Sequence, residues 1–163
     1  MSRRTASRAL FAVALSVSLA ACGSDGGTSA AAGDVSTDLS EKPEVPSSDA
    51  PAPDELVVDD VVVGDGAEAV EGSTADVKYV GAFYETGEEF DSSWSVSADE
   101  TFPVPLGAGQ AIAGFEQGIE GMRVGGRRMV TIPSDLGYGP QGQGPIPGDA
   151  TLVFVMDLVE VTP

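Results

Sequence analysis

The residues from Thr151 to Val161 constrain the fold most, because an extended chain there is apolar on nearly both faces. Leu152, Phe154, Met156 and Leu158 would point to one side, and Val153, Val155 and Val159 to the other. A strand with one wet face alternates apolar with polar residues. A strand apolar on both faces needs neighbours on either side and cover above and below. This run therefore predicts a central, covered strand.

The preceding hundred residues supply its partners. Leu56-Val57-Val58 and Val61-Val62-Val63 are β-branched and end at the turn Gly64-Asp65-Gly66. Ala75, Val77, Tyr79, Gly81 and Phe83 alternate with Asp76, Lys78 and Tyr84, which predicts a strand with one wet face. Glu85-Thr86-Gly87-Glu88 reads as a hairpin turn into Glu89-Phe90-Asp91. A loop holding Trp94 runs to Thr101. Phe102-Pro103-Val104-Pro105 is then extended, and its prolines lack a ladder donor, which places it at an edge. Ile112, Phe115, Ile119 and Met122 recur at near-helical spacing between Gly109 and Gly121, a short amphipathic helix. Gly125-Gly126 turns into a strand from Arg127 to Ile132, and Pro133 to Gly148 is a long loop rich in Gly and Pro. Many strands with one short helix predict an α+β domain, a curved antiparallel sheet wrapped around that helix.

The first 55 residues read differently. Met1 to Arg8 is cationic, Leu10 to Ala21 is apolar, and Cys22 follows, the order of a secretory leader. The apolar run is shorter than the roughly 20 residues a helix needs to cross a bilayer. Leu19-Ala20-Ala21-Cys22 resembles the lipobox of bacterial lipoproteins, in which the signal is cut before the Cys and a diacylglycerol is joined to its thiol. An ordinary leader cut elsewhere, or an uncleaved anchor with Cys22 incidental, is the alternative. Acylation accounts for a lone Cys in an exported chain. Gly23 to Glu55 is Gly, Ser, Ala, Asp, Thr and Pro with almost no large apolar side chains. It reads as a flexible tether, with a span on the order of 30 Å for a random coil. The expected organisation is a leader over 1–21, the acylated Cys and tether over 22–55, and one folded domain over 56–163. The location expected is extracytoplasmic, with the lipid on Cys22 holding the protein to a membrane.

Charge and composition exclude several functions. The net charge is −18, and every acidic residue lies beyond the leader while three of the eight basic residues lie within it. Such a chain repels phosphates, so nucleic acid is excluded as a partner. With no His and one Cys, imidazole–thiolate zinc sites, His-based triads and internal disulfides are excluded too. No metal or cofactor is expected. Gly125-Gly126-Arg127 precedes a strand, whereas a phosphate loop opens a helix. Asp65 and the general acidity raise a calcium-dependent scaffold as a rival, but no EF-hand loop is present.

A series of strings in one order then narrows the reading. They are Val77-Lys78-Tyr79-Val80-Gly81, Glu89-Phe90-Asp91-Ser92-Ser93, Ile112-Ala113-Gly114-Phe115-Glu116-Gln117-Gly118-Ile119 and Met122-Arg123-Val124-Gly125-Gly126. Ile132-Pro133, Leu136-Gly137-Tyr138-Gly139, Ile146-Pro147 and Ala150-Thr151-Leu152-Val153-Phe154 follow. In order and spacing this resembles the FKBP-type peptidyl-prolyl cis-trans isomerases, from about Leu56 to the C-terminus. The resemblance implies a shallow apolar pocket between helix and sheet. Its catalytic set would be Tyr79, Phe90, Asp91, Phe115, Tyr138 and Phe154, with Phe115 as the floor and Asp91 at the rim. Phe102, Ala111, Ile112 and Ile146 would bind substrate, Ala111 through its backbone carbonyl. Singly, Phe90, Ile112, Phe115 and Phe154 could each be core, and Trp94 falls outside the pattern and packs its own loop or extends the groove. The implied partners are proline-containing client chains, with macrolides of the rapamycin type as candidate inhibitors. Many members carry an Arg after the Asp to pair with it, but Ser92 to Thr101 contains no cation. Ala113 and Pro145 also depart from the family's usual residues. The implied activity turns X-Pro bonds in exported proteins by desolvation and shape, without nucleophile or proton transfer. A binding or chaperone module that keeps the pocket but turns over slowly is the rival.

Overall fold

The structure, a computed structural model, describes residues 32–163. The leader and Cys22 lie outside the described residues. Six strands form one antiparallel sheet: β1 (Val57–Val62), β2 (Thr74–Phe83), β3 (Glu89–Ser92), β4 (Phe102–Pro105), β5 (Arg127–Ile132) and β6 (Leu152–Thr162). One helix, α1 (Ala113–Ile119), lies between β4 and β5. The order across the sheet is β1-β5-β6-β2-β3, and β4 pairs with β2 beyond the end of β3. The doubly apolar β6 is central, between β5 and β2. Pro103 and Pro105 sit in β4, which pairs with β2 alone, so the ladder donors they lack are not missed.

The two faces of β6 carry two separate cores. Leu152, Phe154, Met156 and Leu158 pack with Val77, Val130, Ile132, Phe115 and Ile119 beneath α1. Close approach of α1 to the sheet depends on glycine. A Cβ on Gly118 would fall 2.8 Å from Val130 Cγ2, and one on Gly114 would run into Ile132. Arg128 reaches from β5 to the far end of α1, donating to the Gly118 and Glu120 carbonyls at 3.0 Å each and to Asp60 at 2.7 Å. A guanidinium there meets the negative end of the helix dipole and satisfies carbonyls that have no helical partner.

The second face corrects the expectation of a tether over 22–55 for its described part, residues 32–51. From Ala32 to Pro51 the chain lies along the back of the sheet as a strap. Ala32 and Val35 are buried against Met129, Val153 and Val155, with Val45 and Tyr84 at the margin. Arg127, fully buried, is paired with Asp157 through two bonds of 2.5 and 2.6 Å. Two more of its donors go to the strap, to the Ser36 carbonyl at 2.7 Å and the Glu41 carbonyl at 3.0 Å. Ser48 donates its N–H to the Tyr84 carbonyl at 3.0 Å, and Lys42 pairs with Glu89. A segment poor in apolar residues docks because the sheet supplies the apolar surface and the guanidinium satisfies the strap's carbonyls.

Candidate active site

Opposite the strap, the front of the sheet and α1 enclose a cavity of about 540 Å³. Its walls are Tyr79 from β2, Phe90 and Asp91 from β3, Phe102 from β4, Phe154 from β6 and Phe115 from α1. Gln110, Ala111 and Ile112 of the loop before α1 close one side, and Gly137, Tyr138 and Gln143 of the loop after β5 close another. Strand periodicity puts these aromatics on one face. Glycine then makes room for them: a Cβ on Gly81, between Tyr79 and Phe83, would lie 2.7 Å from Phe154 Cε1 and 2.9 Å from Phe90 Cζ.

The rings meet edge to face. Phe115 lies 5.0 Å from Phe154 and 5.6 Å from Tyr79, and Phe90 lies 5.6 Å from Phe154, centroid to centroid. Such contacts set ring edges against ring faces and fix the floor's shape. Phe115 and Phe154 are buried, while Phe102 is exposed at the mouth, 5.8 Å from Tyr79.

At the rim, Tyr79 donates its hydroxyl to Asp91 Oδ2 at 2.7 Å, and the Ser92 N–H donates to Oδ1 at 2.9 Å. Together these occupy both oxygens of the carboxylate that lacks an Arg in the following loop. Each of the five Lys and Arg residues described is engaged elsewhere: Lys42 with Glu89, Arg123 with Glu68, Arg127 with Asp157, Arg128 with Asp60, and Lys78 over the ring of Trp94 at 4.7 Å. Burial, and then donation to Asp91, push the Tyr79 hydroxyl well above the usual tyrosine range. Burial and the Asp91 charge push Tyr138 up as well.

Nine of the ten pocket residues expected from the sequence line this cavity: Tyr79, Phe90, Asp91, Phe102, Ala111, Ile112, Phe115, Tyr138 and Phe154. Ile146 does not. It is buried in the core beneath, and its backbone exchanges two bonds with Gln143, which lines the cavity instead. An apolar side chain at the tip of a loop turned inward, leaving a polar neighbour to face the cavity. Gln110, Gly137 and Gln143 were missed, since a glutamine or glycine in a loop carries no periodic signal. Trp94 packs on Lys78 outside the cavity.

Known proteins resemble this chain in sequence and fold. A family model described as "FKBP-type peptidyl-prolyl cis-trans isomerase" matches residues 66–159. A Corynebacterium glutamicum protein named "Probable FK506-binding protein" is 49% identical over 119 residues, 73% of this chain and 98% of that one. An "FK506-binding protein" of Streptomyces anulatus is 48% identical over 124 residues, 74% of this chain and 98% of its own. Among solved structures, AtFKBP13 superposes with a TM-score of 0.60 at 35% identity, covering 67% of this chain and 94% of that one. FkpA from Escherichia coli gives the same TM-score at 33% identity, over 66% of this chain and 48% of its own. With the family model spanning more than half of the chain and two relatives at 49% and 48% identity matched over 98% of their own length, the protein belongs to the FKBP-type peptidyl-prolyl cis-trans isomerase family.

Proposed function

We propose that the pocket isomerises X-Pro bonds of exported proteins by desolvation and shape, from a domain held to a bacterial membrane by lipid on Cys22. The observation that carries the mechanism is the lining itself. It offers six aromatic rings and one carboxylate at the rim, and no amine, imidazole or thiol. Rotation about an X-Pro bond breaks no covalent bond. It must overcome amide resonance, a barrier of about 18–20 kcal/mol for a peptide bond. The twisted amide is less charge-separated than the planar one, so a dry pocket favours it relative to water. Phe115, Phe154 and Tyr79 grip the proline ring and exclude water. The Tyr138 hydroxyl, with no hydrogen-bond partner among the described residues, and the Ile112 amide are the donors that hold the chain in a turn. Macrolides of the rapamycin class, which present a similar ring and carbonyl, are expected to compete.

The test is the enzyme-dependent isomerisation rate of one short X-Pro peptide from pH 6 to pH 9, with fold checked at each point. Both pocket tyrosines are pushed upward, so their hydroxyls stay protonated throughout that range. The expected profile is flat, whereas proton transfer gives a step or a bell. An inflection near neutrality would mean that proton transfer is part of the chemistry and would overturn the desolvation reading.

The anchor has its own test. Cys22→Ser should move the protein from the membrane to the soluble fraction of cells while leaving the isolated protein's isomerase rate unchanged. Retention of the Ser variant on membranes would refute lipid attachment at Cys22. The leader, the lone thiol and the small residues before it support this placement.

A further inference from the structure

The loop between β4 and α1 supplies the pocket wall of Gln110, Ala111 and Ile112, yet it has little to hold its own shape. It turns through Gly107 at φ +82° and Gly109 at φ +65°, and one long backbone bond, Ala108 N–H to the Pro105 carbonyl at 3.3 Å, ties it locally. Its inward N–H groups converge on a single carboxylate. Glu116, on the first turn of α1 and only 8% exposed, accepts from Gly107 at 3.1 Å and Gly109 at 3.4 Å through Oε2. Its Oε1 accepts from Ala111 at 3.1 Å. Glu116 adjoins Phe115, so one helical turn carries both the pocket floor and the clamp on its wall. Burial opposes a charge on Glu116, but the loop's N–H groups outweigh it and hold the carboxyl below the usual range. A charged acceptor surrounded by backbone donors is a strong clamp.

We propose that Glu116 is a positioning residue for substrate: its carboxylate holds the 107–111 loop in the shape that presents Ala111 and Ile112 to the bound chain. Glu116 does not line the cavity. It acts through the backbone of residues that do. This rests on the isomerase reading, so the experiment includes arms that do not need turnover.

In the full chain, Glu116→Gln keeps the size of the side chain but replaces one acceptor oxygen with an NH₂ that faces N–H donors. The expected result is faster amide hydrogen exchange at Gly107, Gly109 and Ala111, with β6 amides unchanged. KM for an X-Pro peptide and Kd for FK506 should both rise by about tenfold, the worth of one charged hydrogen bond, with kcat little altered. Gln117→Ala, exposed on the same helix, is the control and should change none of these. Gly109→Ala strains the loop at its positive φ without touching the carboxylate, since a Cβ there meets nothing within 4 Å. It should raise KM and Kd in the same way, and it decides the matter if the Gln variant does not fold. Freed loop amides with unchanged KM and Kd would overturn the proposal, as would amides that stay protected in Glu116→Gln. Loss of kcat at constant KM would also overturn it. A wild-type chain that binds FK506 but turns over no peptide would fault the isomerase reading, while the exchange and Kd arms still decide the role of Glu116.

Discussion

Replacing Arg127 with Met should destabilise the domain by about 3–5 kcal/mol, the cost of removing one partner from a buried ion pair. The guanidinium is fully buried and spends four bonds, two on Asp157 and two on strap carbonyls. Met fills much of the space but satisfies none of them. Two consequences separate this from a packing defect. The first concerns pH. Burial already pushes the Asp157 carboxyl upward against the pull of Arg127, and the variant leaves only Lys78 to oppose it. A carboxyl whose folded pKa lies above its unfolded value binds its proton more tightly when folded. The contribution of Asp157 to the variant's stability is therefore fullest in acid and is lost as pH rises through that folded pKa. Urea unfolding at pH 5 and pH 8 should show a larger deficit, relative to wild type, at pH 8. The second concerns the strap: without its anchor, residues 36–48 should become sensitive to protease under native conditions. A variant as stable as wild type at pH 8, with the strap still protected, would mean that the buried pair does not hold the strap.

The strap shows where sequence reasoning reached and where it stopped. β6 was legible as a central strand covered on both faces, and it is central and buried from Leu152 to Leu158, while Val159, expected under cover, is exposed. The cover for its second face was not legible. Ala32, Val35 and Val45 are spaced too irregularly to signal a helix or strand, and their stretch has the composition of a solvated linker. What holds it is non-local: a guanidinium about ninety residues away and a sheet face built from β5 and β6. Composition reports how much apolar surface a segment brings, not how much its docking surface supplies. The apolar residues at Val153 and Val155 were the clue, since a second buried face requires a second cover.

The site divides along the same line. Residues on strands and the helix were legible, because period two and near-helical spacing set Tyr79, Phe154 and Phe115 on known faces, and the family's strings set their register. Loop residues were less so. Ile146 points into the core while Gln143 faces the cavity. The role of Asp91 was legible only in part: the sequence showed that its customary cation is absent, and the structure shows Tyr79 and the Ser92 amide in its place. Glu116 read as one letter in a helix. Its three bonds run to a loop that turns back on it, which no periodicity encodes.

Phe154→Ala should damage stability and catalysis together, because this side chain belongs to the core and to the pocket at once. It is 4% exposed and its ring meets those of Tyr79, Phe90 and Phe115 at 6.1, 5.6 and 5.0 Å. Truncating a fully buried Phe costs about 3–5 kcal/mol, from lost burial and from the cavity left behind. That cavity opens on the substrate side, because β6 pairs Phe154 with Gly81, which has no side chain to fill it. Water can then enter the floor, and a pocket that works by dryness loses the property it depends on. The expected loss in kcat/KM is about tenfold or more, equivalent to roughly 1.4 kcal/mol in the barrier, in protein shown to be folded at the assay temperature. Phe154→Leu separates the two effects. It keeps most of the volume, so stability should recover further than activity, since Leu has no ring edge to set against Tyr79 and Phe115. Equal recovery of both would mean that the floor needs bulk and not aromaticity, and a fully active Ala variant would remove Phe154 from the site altogether.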